Sequence, residues 1–217
     1  MYLTMEFLYK IPPSRDDASD IANIALKLSS ISNRLANEDR TAVNHFSGRA
    51  ENVAEHSMML SLVAPIIAEY LYPELDPNLI SRFASIHDIV EAYSGDTPTH
   101  IISTQDLKDK EILEKTALEK LTQDFSDIPG FVSLVNDYED QIIPEARFVR
   151  VLDKSMPLLV HFSDNGATLR SYNTPEGVRN NSSERSKWLR KDYPEFIKII
   201  ELREELANLA AEHLFEE

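Results

Sequence analysis

The chain has 217 residues, a mass of 24.7 kDa and a net charge of −15, with 22 Lys and Arg residues against 37 Asp and Glu residues. A charge of that sign repels nucleic-acid backbones and disfavours a nucleic-acid polymer as partner. The absence of cysteine excludes disulfides, iron–sulfur clusters and thiolate zinc sites. No basic leader precedes an apolar run, and no stretch approaches about 18 apolar residues. We therefore expect a cytoplasmic protein that makes no use of a membrane.

Apolar side chains recur every three or four residues along most of the chain. The pattern covers residues 21–35, 53–70 and 80–90, which predicts three successive helices. Asp76 and Pro77 form a typical start for the third helix. The same spacing continues further on and predicts more helices around 118–125, 146–160 and 199–209.

The rest of the chain offers no competing signal. Residues 171–183 are rich in Asn, Ser, Pro and Gly, so we expect a surface loop there. No alternating run of Val, Ile or Thr with hairpin turns is found. The sequence therefore predicts an all-α bundle of about seven or eight helices in one domain spanning 1–217, with C-terminal helices at 184–215 packed on it.

Three ionisable residues fall on the inward faces of three different predicted helices: His56, His87 and Asp153. A carboxylate in such a position is costly unless it is paired or binds a metal. Asp88 follows His87 directly. Two imidazoles and two carboxylates suit a divalent transition ion. The pattern indicates a metal site, although a single inward histidine is more often a core residue with its polar atoms satisfied.

The order of these residues resembles the H…HD…D signature of the HD-domain metal-dependent phosphohydrolases. The segment 49–57, RAENVAEHS, is similar to the region of the first metal histidine in bacterial 5′-deoxynucleotidases. The segment 87–99, HDIVEAYSGDTPT, is similar to their motif H-D-x-x-E-x-x-x-G-D-x-P-T. The resemblance covers roughly residues 40–165. It implies an HD-domain helical fold in which one divalent ion per chain (Co, Mn, Zn, Fe or Mg) is bound by His56, His87, Asp88 and Asp153.

The resemblance also implies that Glu91 and Asp96 are catalytic and face the reacting phosphate and its leaving oxygen. Glu91 lies four residues after His87, on the same helix face. A carboxylate near the ion but not bound to it can act as a general acid or base. Thr97 and Thr99 are expected to contact the sugar or the phosphate.

An acidic chain that binds an anion needs local positive charge. Arg49, seven residues before His56, is the first candidate for substrate binding, and Arg40 is the second. The related deoxynucleotidases carry an Arg-Trp pair upstream of the first metal histidine that is implicated in sugar selection. Here Thr41 follows Arg40, and the chain's one tryptophan is Trp188.

The function implied by the resemblance is release of orthophosphate from (deoxy)nucleoside 5′-monophosphates, with a small-molecule nucleotide as partner and a homodimer as assembly. A deoxynucleoside triphosphate triphosphohydrolase is the alternative, in which Lys108, Lys110 and Lys115 would bind the extra phosphates. An alarmone hydrolase is disfavoured because Ala92 stands where those enzymes usually carry Asp. A non-catalytic nucleotide-binding HD module is disfavoured by the complete ligand set.

Overall fold

The computed structural model describes residues 17–44, 48–95 and 104–216, and it confirms the all-α class. Its elements, in chain order, are α1 (Asp17–Leu35), β1 (Asp39–Asn44), β2 (Ala50–Asn52), α2 (Val53–Leu71), α3 (Pro77–Ile86), α4 (Glu91–Ser94), α5 (Thr104–Asp124), α6 (Pro129–Glu139), α7 (Pro144–Asp153), α8 (Met156–Ser163), α9 (Ala167–Tyr172), α10 (Pro175–Asp192), a 3-10 turn (Pro194–Phe196) and α11 (Ile197–His213). The described residues thus form more helices than the seven or eight predicted. Two predicted helices are interrupted, and a predicted loop is helical.

A short antiparallel ribbon, which the sequence did not predict, precedes α2. In it, β1 pairs with β2 so that Asp39 lies opposite Asn52. With only six and three residues, the strands are too short to show a clear alternating pattern. The ribbon brings Arg40 and Glu51 to the start of α2.

Helix α2 begins with a capping box. The Asn52 side chain accepts a hydrogen bond from Glu55 N (2.9 Å), and Asn52 N donates to Glu55 Oε2 (3.1 Å). This arrangement satisfies two backbone donors at the helix start and fixes where the first turn begins. His56 therefore enters the core from the first turn of α2.

The predicted helix over 80–90 is interrupted at the HD pair. The start is as predicted, since the Asp76 side chain accepts from Asn78 N (2.8 Å) and Pro77 occupies the first turn. The regular helix ends at Ile86, and tighter turns follow in which Ile89 N donates to Ile86 O and Glu91 N donates to Asp88 O. His87 and Asp88 thus lie at a junction between α3 and α4.

The predicted helix over 146–160 is also interrupted, directly after Asp153. Helix α7 ends at Asp153, and α8 begins at Met156. Pro157 has no N–H to donate to the Asp153 carbonyl, which is the physical reason for a break at this point. Asp153 therefore lies at a helix end, as the HD pair does.

The prediction of a loop over residues 171–183 is wrong, because α10 begins at Pro175. Thr174 caps this helix by accepting a hydrogen bond from Gly177 N (3.0 Å), and Pro175 occupies the first turn. The helix is mostly polar and owes its stability to packing against α11. Its buried face consists of Val178, Ser182, Ser186 and Leu189.

The C-terminal helices pack on the elements that carry the predicted metal ligands. The rings of Tyr72, Phe148 and Phe196 meet edge to face, with centroids 5.3–5.8 Å apart, and join α2, α7 and the 3-10 turn. A second cluster joins α8 to α11; its members include Leu158, Leu169, Val178, Ala207 and Leu214. None of the described helices is both long and apolar enough to cross a membrane.

Candidate metal centre and its cleft

Four side chains from three parts of the chain converge at the centre of the fold. One ligand atom from each of His56, His87 and Asp88 lies within 4.8 Å of the other two. Asp153 Oδ1 is 2.9 Å from His56 Nε2 and 3.6 Å from His87 Nε2. His87 Nε2 is 3.0 Å from Asp88 Oδ2. The structure thus brings together all four residues that the sequence suggested as ligands.

In each imidazole, the ring nitrogen that faces away from the cluster, Nδ1, lies near an oxygen atom, as is typical of metal-binding histidines. His87 Nδ1 is 2.9 Å from the Ala84 carbonyl, so in the neutral ring it donates there and leaves the Nε2 lone pair facing the cluster. His56 Nδ1 lies 3.6 Å from the buried Glu51 Oε2. His87 Nε2 is buried and makes no hydrogen bond within the described part of the chain. A nitrogen in that position, surrounded by carboxylate oxygens, fits a divalent metal ion.

The electrostatics of the cluster follow from its opposite charges in the metal-free state. Burial disfavours the charged imidazole, but contacts with Asp88 and Asp153 outweigh it and raise the pKa of His87 to about 10. Burial alone would raise the pKa of the Asp88 carboxyl, but His87 holds it well below its usual range. The pKa of Asp153 is lowered in the same way, against its burial, by Lys154 and both imidazoles. Without a metal, the cluster is therefore stabilised by protons on the imidazoles.

Two cations lie beside the carboxylates. Arg40 Nη1 donates to Asp88 Oδ2 (2.9 Å), and Arg40 Nε is 3.4 Å from Glu51 Oε2. Although burial opposes it, Asp88 and its neighbouring carboxylates raise the pKa of Arg40. Lys154 Nζ donates to Asp153 Oδ2 (2.6 Å). These contacts leave one oxygen of Asp153, Oδ1, turned toward the imidazoles.

A cleft of about 750 Å³ opens from the cluster, and we call the part lined by α5 and the part lined by α8, α9 and α10 its two arms. Along its α5 side, Lys110 and Lys115 alternate with Glu111 and Glu114. Its other arm runs along α8, α9 and α10. Glu91 also lines the cleft and is near enough to Arg40 to help raise its pKa. Other groups at the walls near the cluster include Tyr138, Glu139 and Arg150.

The remaining predicted substrate and catalytic residues have different outcomes. The side chain of Arg49 is 55% exposed, binds both carboxylate oxygens of Glu55, and is not among the groups lining the cleft formed by the described residues. Arg49 and Glu55 therefore support the α2 cap. Asp96, Thr97 and Thr99 lie outside the described residues. The chain leading to them leaves α4 at Gly95, whose φ of 74° favours glycine.

Sequence reasoning missed two buried groups of the site. Glu51 lies fully buried between Arg40 and His56, and its signal was available because it falls inside RAENVAEHS. His161 was not singled out from the sequence; it is buried and lines the cleft. No motif in the sequence marks His161, because only the packing of α8 turns this side chain toward the cleft.

Residues 32–195 match the family model of the HD domain, which covers well over half of the chain. The chain therefore belongs to the HD-domain family. The family is metal-dependent, and the cluster around His56, His87 and Asp88 is a possible metal site in this chain.

Three individual proteins show what this chain is similar to within the family. The chain is 30% identical over 101 residues to a 5′-deoxynucleotidase of Enterobacter sp. (strain 638), a match covering 42% of this chain and 50% of that protein. It is 30% identical over 114 residues to a 5′-deoxynucleotidase of Xenopus laevis, and the match covers 51% of this chain and 54% of that protein. The matches thus span about half the length of these curated relatives. A crystal structure described as a predicted metal-dependent phosphohydrolase from Magnetospirillum magnetotacticum MS-1 is similar with a TM-score of 0.66 and 26% identity, covering 86% of this chain and 93% of that one.

Proposed function

We propose that the protein is a metal-dependent phosphohydrolase that releases orthophosphate from (deoxy)nucleoside 5′-monophosphates. The observation that carries the proposal is the buried cluster, in which two imidazole nitrogens and two carboxylates face one point at the end of an open cleft. The names of the relatives support the substrate class.

In this proposal His56, His87, Asp88 and Asp153 hold one divalent ion per chain. Such an ion, when bound, polarises a phosphoryl oxygen and lowers the pKa of water. Glu51, whose Oε2 lies 3.6 Å from His56 Nδ1 on the side away from the ion, would orient that ring. The buried cluster would therefore keep its geometry through a catalytic cycle.

The charged groups beside the cluster would handle the substrate. Arg40 and Lys154 are each bonded to a proposed metal ligand, so both are placed to offset negative charge on the phosphate. Glu91 lines the same end of the cleft and would take or give a proton. Asp96 remains a proposed partner in that step, and Thr97 and Thr99 remain proposed substrate contacts.

The side chain of Lys108 lies outside what the structure describes, and the described residues of the α5 arm do not favour the triphosphate alternative. Lys110 and Lys115 do line the cleft, but Glu111 and Glu114 lie among them, and Lys110 Nζ is 3.4 Å from Glu114 Oε1. These acids cancel the positive charge that β and γ phosphates would require.

A phosphate-release screen tests the proposed function. Metal-stripped protein is resupplied with Mn, Co, Zn or Mg and given ribo- and deoxynucleoside mono-, di- and triphosphates, with chromatography of the products. Orthophosphate from deoxynucleoside monophosphates is the expected result. Asp88→Asn should abolish activity and metal retention, whereas the exposed Asp140→Asn should not. Intact triphosphate as product, or an active metal-free Asp88→Asn protein, would contradict the proposal.

We further propose that residues 1–217 form one HD-type domain that works in the cytoplasm as a homodimer. Support for the dimer comes from α2, where four large apolar side chains spaced four residues apart are exposed: Met58, Leu62, Ile66 and Tyr70. A stripe of this kind on a soluble chain is typical of a protein interface. Light scattering of Leu62→Glu should give a monomer, whereas Ile112→Glu, at an exposed apolar position on α5, should leave the dimer intact.

A further inference from the structure

The arm of the cleft lined by α8, α9 and α10 differs in character from the α5 arm. Its floor is apolar and is formed by the buried side chains of Leu158, Leu169 and Val178. Three of its polar groups come from α10, part of which the sequence led us to expect as a loop. This arm therefore offers an apolar surface against which a flat ring could pack.

An aromatic ring stands at the edge of this arm in a fixed orientation. Tyr172 lines the cleft and is 55% exposed, and its hydroxyl lies 3.0 Å from His161 Nε2. Burial lowers the pKa of His161, so this imidazole is neutral at physiological pH and can share a hydrogen bond with the hydroxyl. Held at its far end, the Tyr172 ring offers a face on which a nucleobase could stack.

Two polar side chains one helical turn apart on α10 line the same arm. Asn181 carries an amide that can both donate and accept, and Arg185 carries a guanidinium fork. These are the side chains that read base edges by paired hydrogen bonds. Arg185 and Arg203 both line this part of the cleft, and two neighbouring cations favour carbonyl oxygens of a base over a further cation.

A buried arginine links this face of α10 to the metal cluster. Arg203 Nη1 donates to Ser182 Oγ (2.6 Å) and Ser182 O (3.1 Å), while Arg203 Nε donates to the carbonyl of Lys154 (3.1 Å). Lys154 directly follows Asp153. The position of α10 is therefore fixed relative to the end of α7, so a ligand held by both would be held at a fixed distance.

We propose that this arm is the nucleobase subsite of the enzyme, with Tyr172 stacking on the base and Asn181 and Arg185 bonding to its edge. The proposal rests on the proposed function for the placement of the phosphate at the metal cluster. The α5 arm does not compete for the base, because its mixed Lys and Glu side chains are better solvated than stacked. Base recognition would then come from C-terminal helices that lie outside the metal-binding motifs.

The test compares a substrate with and without its base on the metal-loaded protein. Asn181→Ala and Arg185→Ala should each raise the KM for deoxyguanosine 5′-monophosphate about tenfold, the effect of losing a hydrogen bond to a charged or amide partner. Neither should change kcat/KM for deoxyribose 5-phosphate, which has the same phosphate and sugar. Asn180→Ala and Arg179→Ala are matched controls, because both residues are exposed on α10 and do not line the cleft formed by the described residues.

A second measurement separates this subsite from the phosphatase activity. Deoxyguanosine has no phosphate to release, so its binding to metal-loaded protein can be measured by calorimetry whether or not the enzyme turns over. Weaker binding to Asn181→Ala, Arg185→Ala and Tyr172→Ala, with unchanged binding to the controls, supports the subsite. The subsite is overturned if the variants lose as much activity on deoxyribose 5-phosphate as on deoxyguanosine 5′-monophosphate. It is also overturned if nucleoside binding is unchanged in all three variants. Failure of phosphate release in the wild type, with intact nucleoside binding, overturns the proposed function alone.

Discussion

A metal ion and a proton compete for the same nitrogen of His87, and raising the pH should therefore strengthen metal binding. Without metal, Asp88 and Asp153 raise the pKa of His87 to about 10 despite its burial. An ion can bind Nε2 only after that proton has left. The carboxyl pKa values of Asp88 and Asp153 are lowered, so these two groups are already ionised and release no proton.

The expected magnitude follows from that pKa. At pH 8, two units below it, only about 1% of His87 is neutral, and displacing its proton costs about 3 kcal/mol of metal-binding free energy. Each unit of pH between 7 and 9 should therefore raise the apparent metal association constant about tenfold. The pKa of His56 is also raised, because contacts with Asp153 and Glu51 outweigh its burial, so the dependence is expected to be at least this steep.

The assay is competition with a chelator of known affinity for Mn²⁺ at pH 7, 8 and 9, together with calorimetry in buffers of different ionisation enthalpy. About one proton or more should be released per ion bound. His213→Asn, at an exposed position on the last helix, should keep the same slope. An association constant that does not change over this range, with no proton release, would refute the assignment of a protonated His87 as a metal ligand.

Three further outcomes are expected. Glu91→Gln should lower kcat on the order of 10²- to 10⁴-fold with unchanged metal content, and an unaltered kcat would remove Glu91 from the proton-transfer step. Phe148→Ala should reduce the free energy of unfolding in urea by about 3–5 kcal/mol, because it empties the fully buried centre of the aromatic triad; a loss below about 1 kcal/mol would contradict this packing. Metal-free protein should lose thermal stability as the pH rises from 7 toward 10. The pKa of His87 is about 10 in the folded protein and about 6.5 in the unfolded chain, so its charged form stabilises the fold fully below pH 6.5. That stabilisation is lost as the pH rises through the folded-state pKa, so His87→Gln should show a flatter profile of stability against pH.

The helical class and the candidate ligands could be predicted because both depend on short-range patterns. The three-and-four spacing of apolar residues reports which face of a helix is buried, and Asp76 with Pro77 marks a helix start within a few residues. His56, His87 and Asp153 stood out because ionisable residues are rare on such faces.

The prediction for α10 failed for a reason that local patterns do not contain. Its sequence has the composition of a loop, and the helix is stable because α11 covers its Ser182 and Ser186 face and Arg203 bonds to Ser182. For Arg49, the distance to His56 along the sequence indicated a phosphate contact, and only the structure shows that its guanidinium binds Glu55 beside the α2 cap.

The sequence by itself determined that the protein is helical, acidic and equipped with two histidines and two carboxylates at helical positions, because these properties depend on composition and on spacing along one element. Only the tertiary structure decided which groups surround the cluster. Glu51 comes from one strand of the ribbon and Arg40 from the other, while the cleft that opens from the cluster takes His161 and Asn181 from α8 and α10. Those neighbours are set by long-range packing of helix against helix, and the free energy of such packing cannot be read from any single segment of the chain.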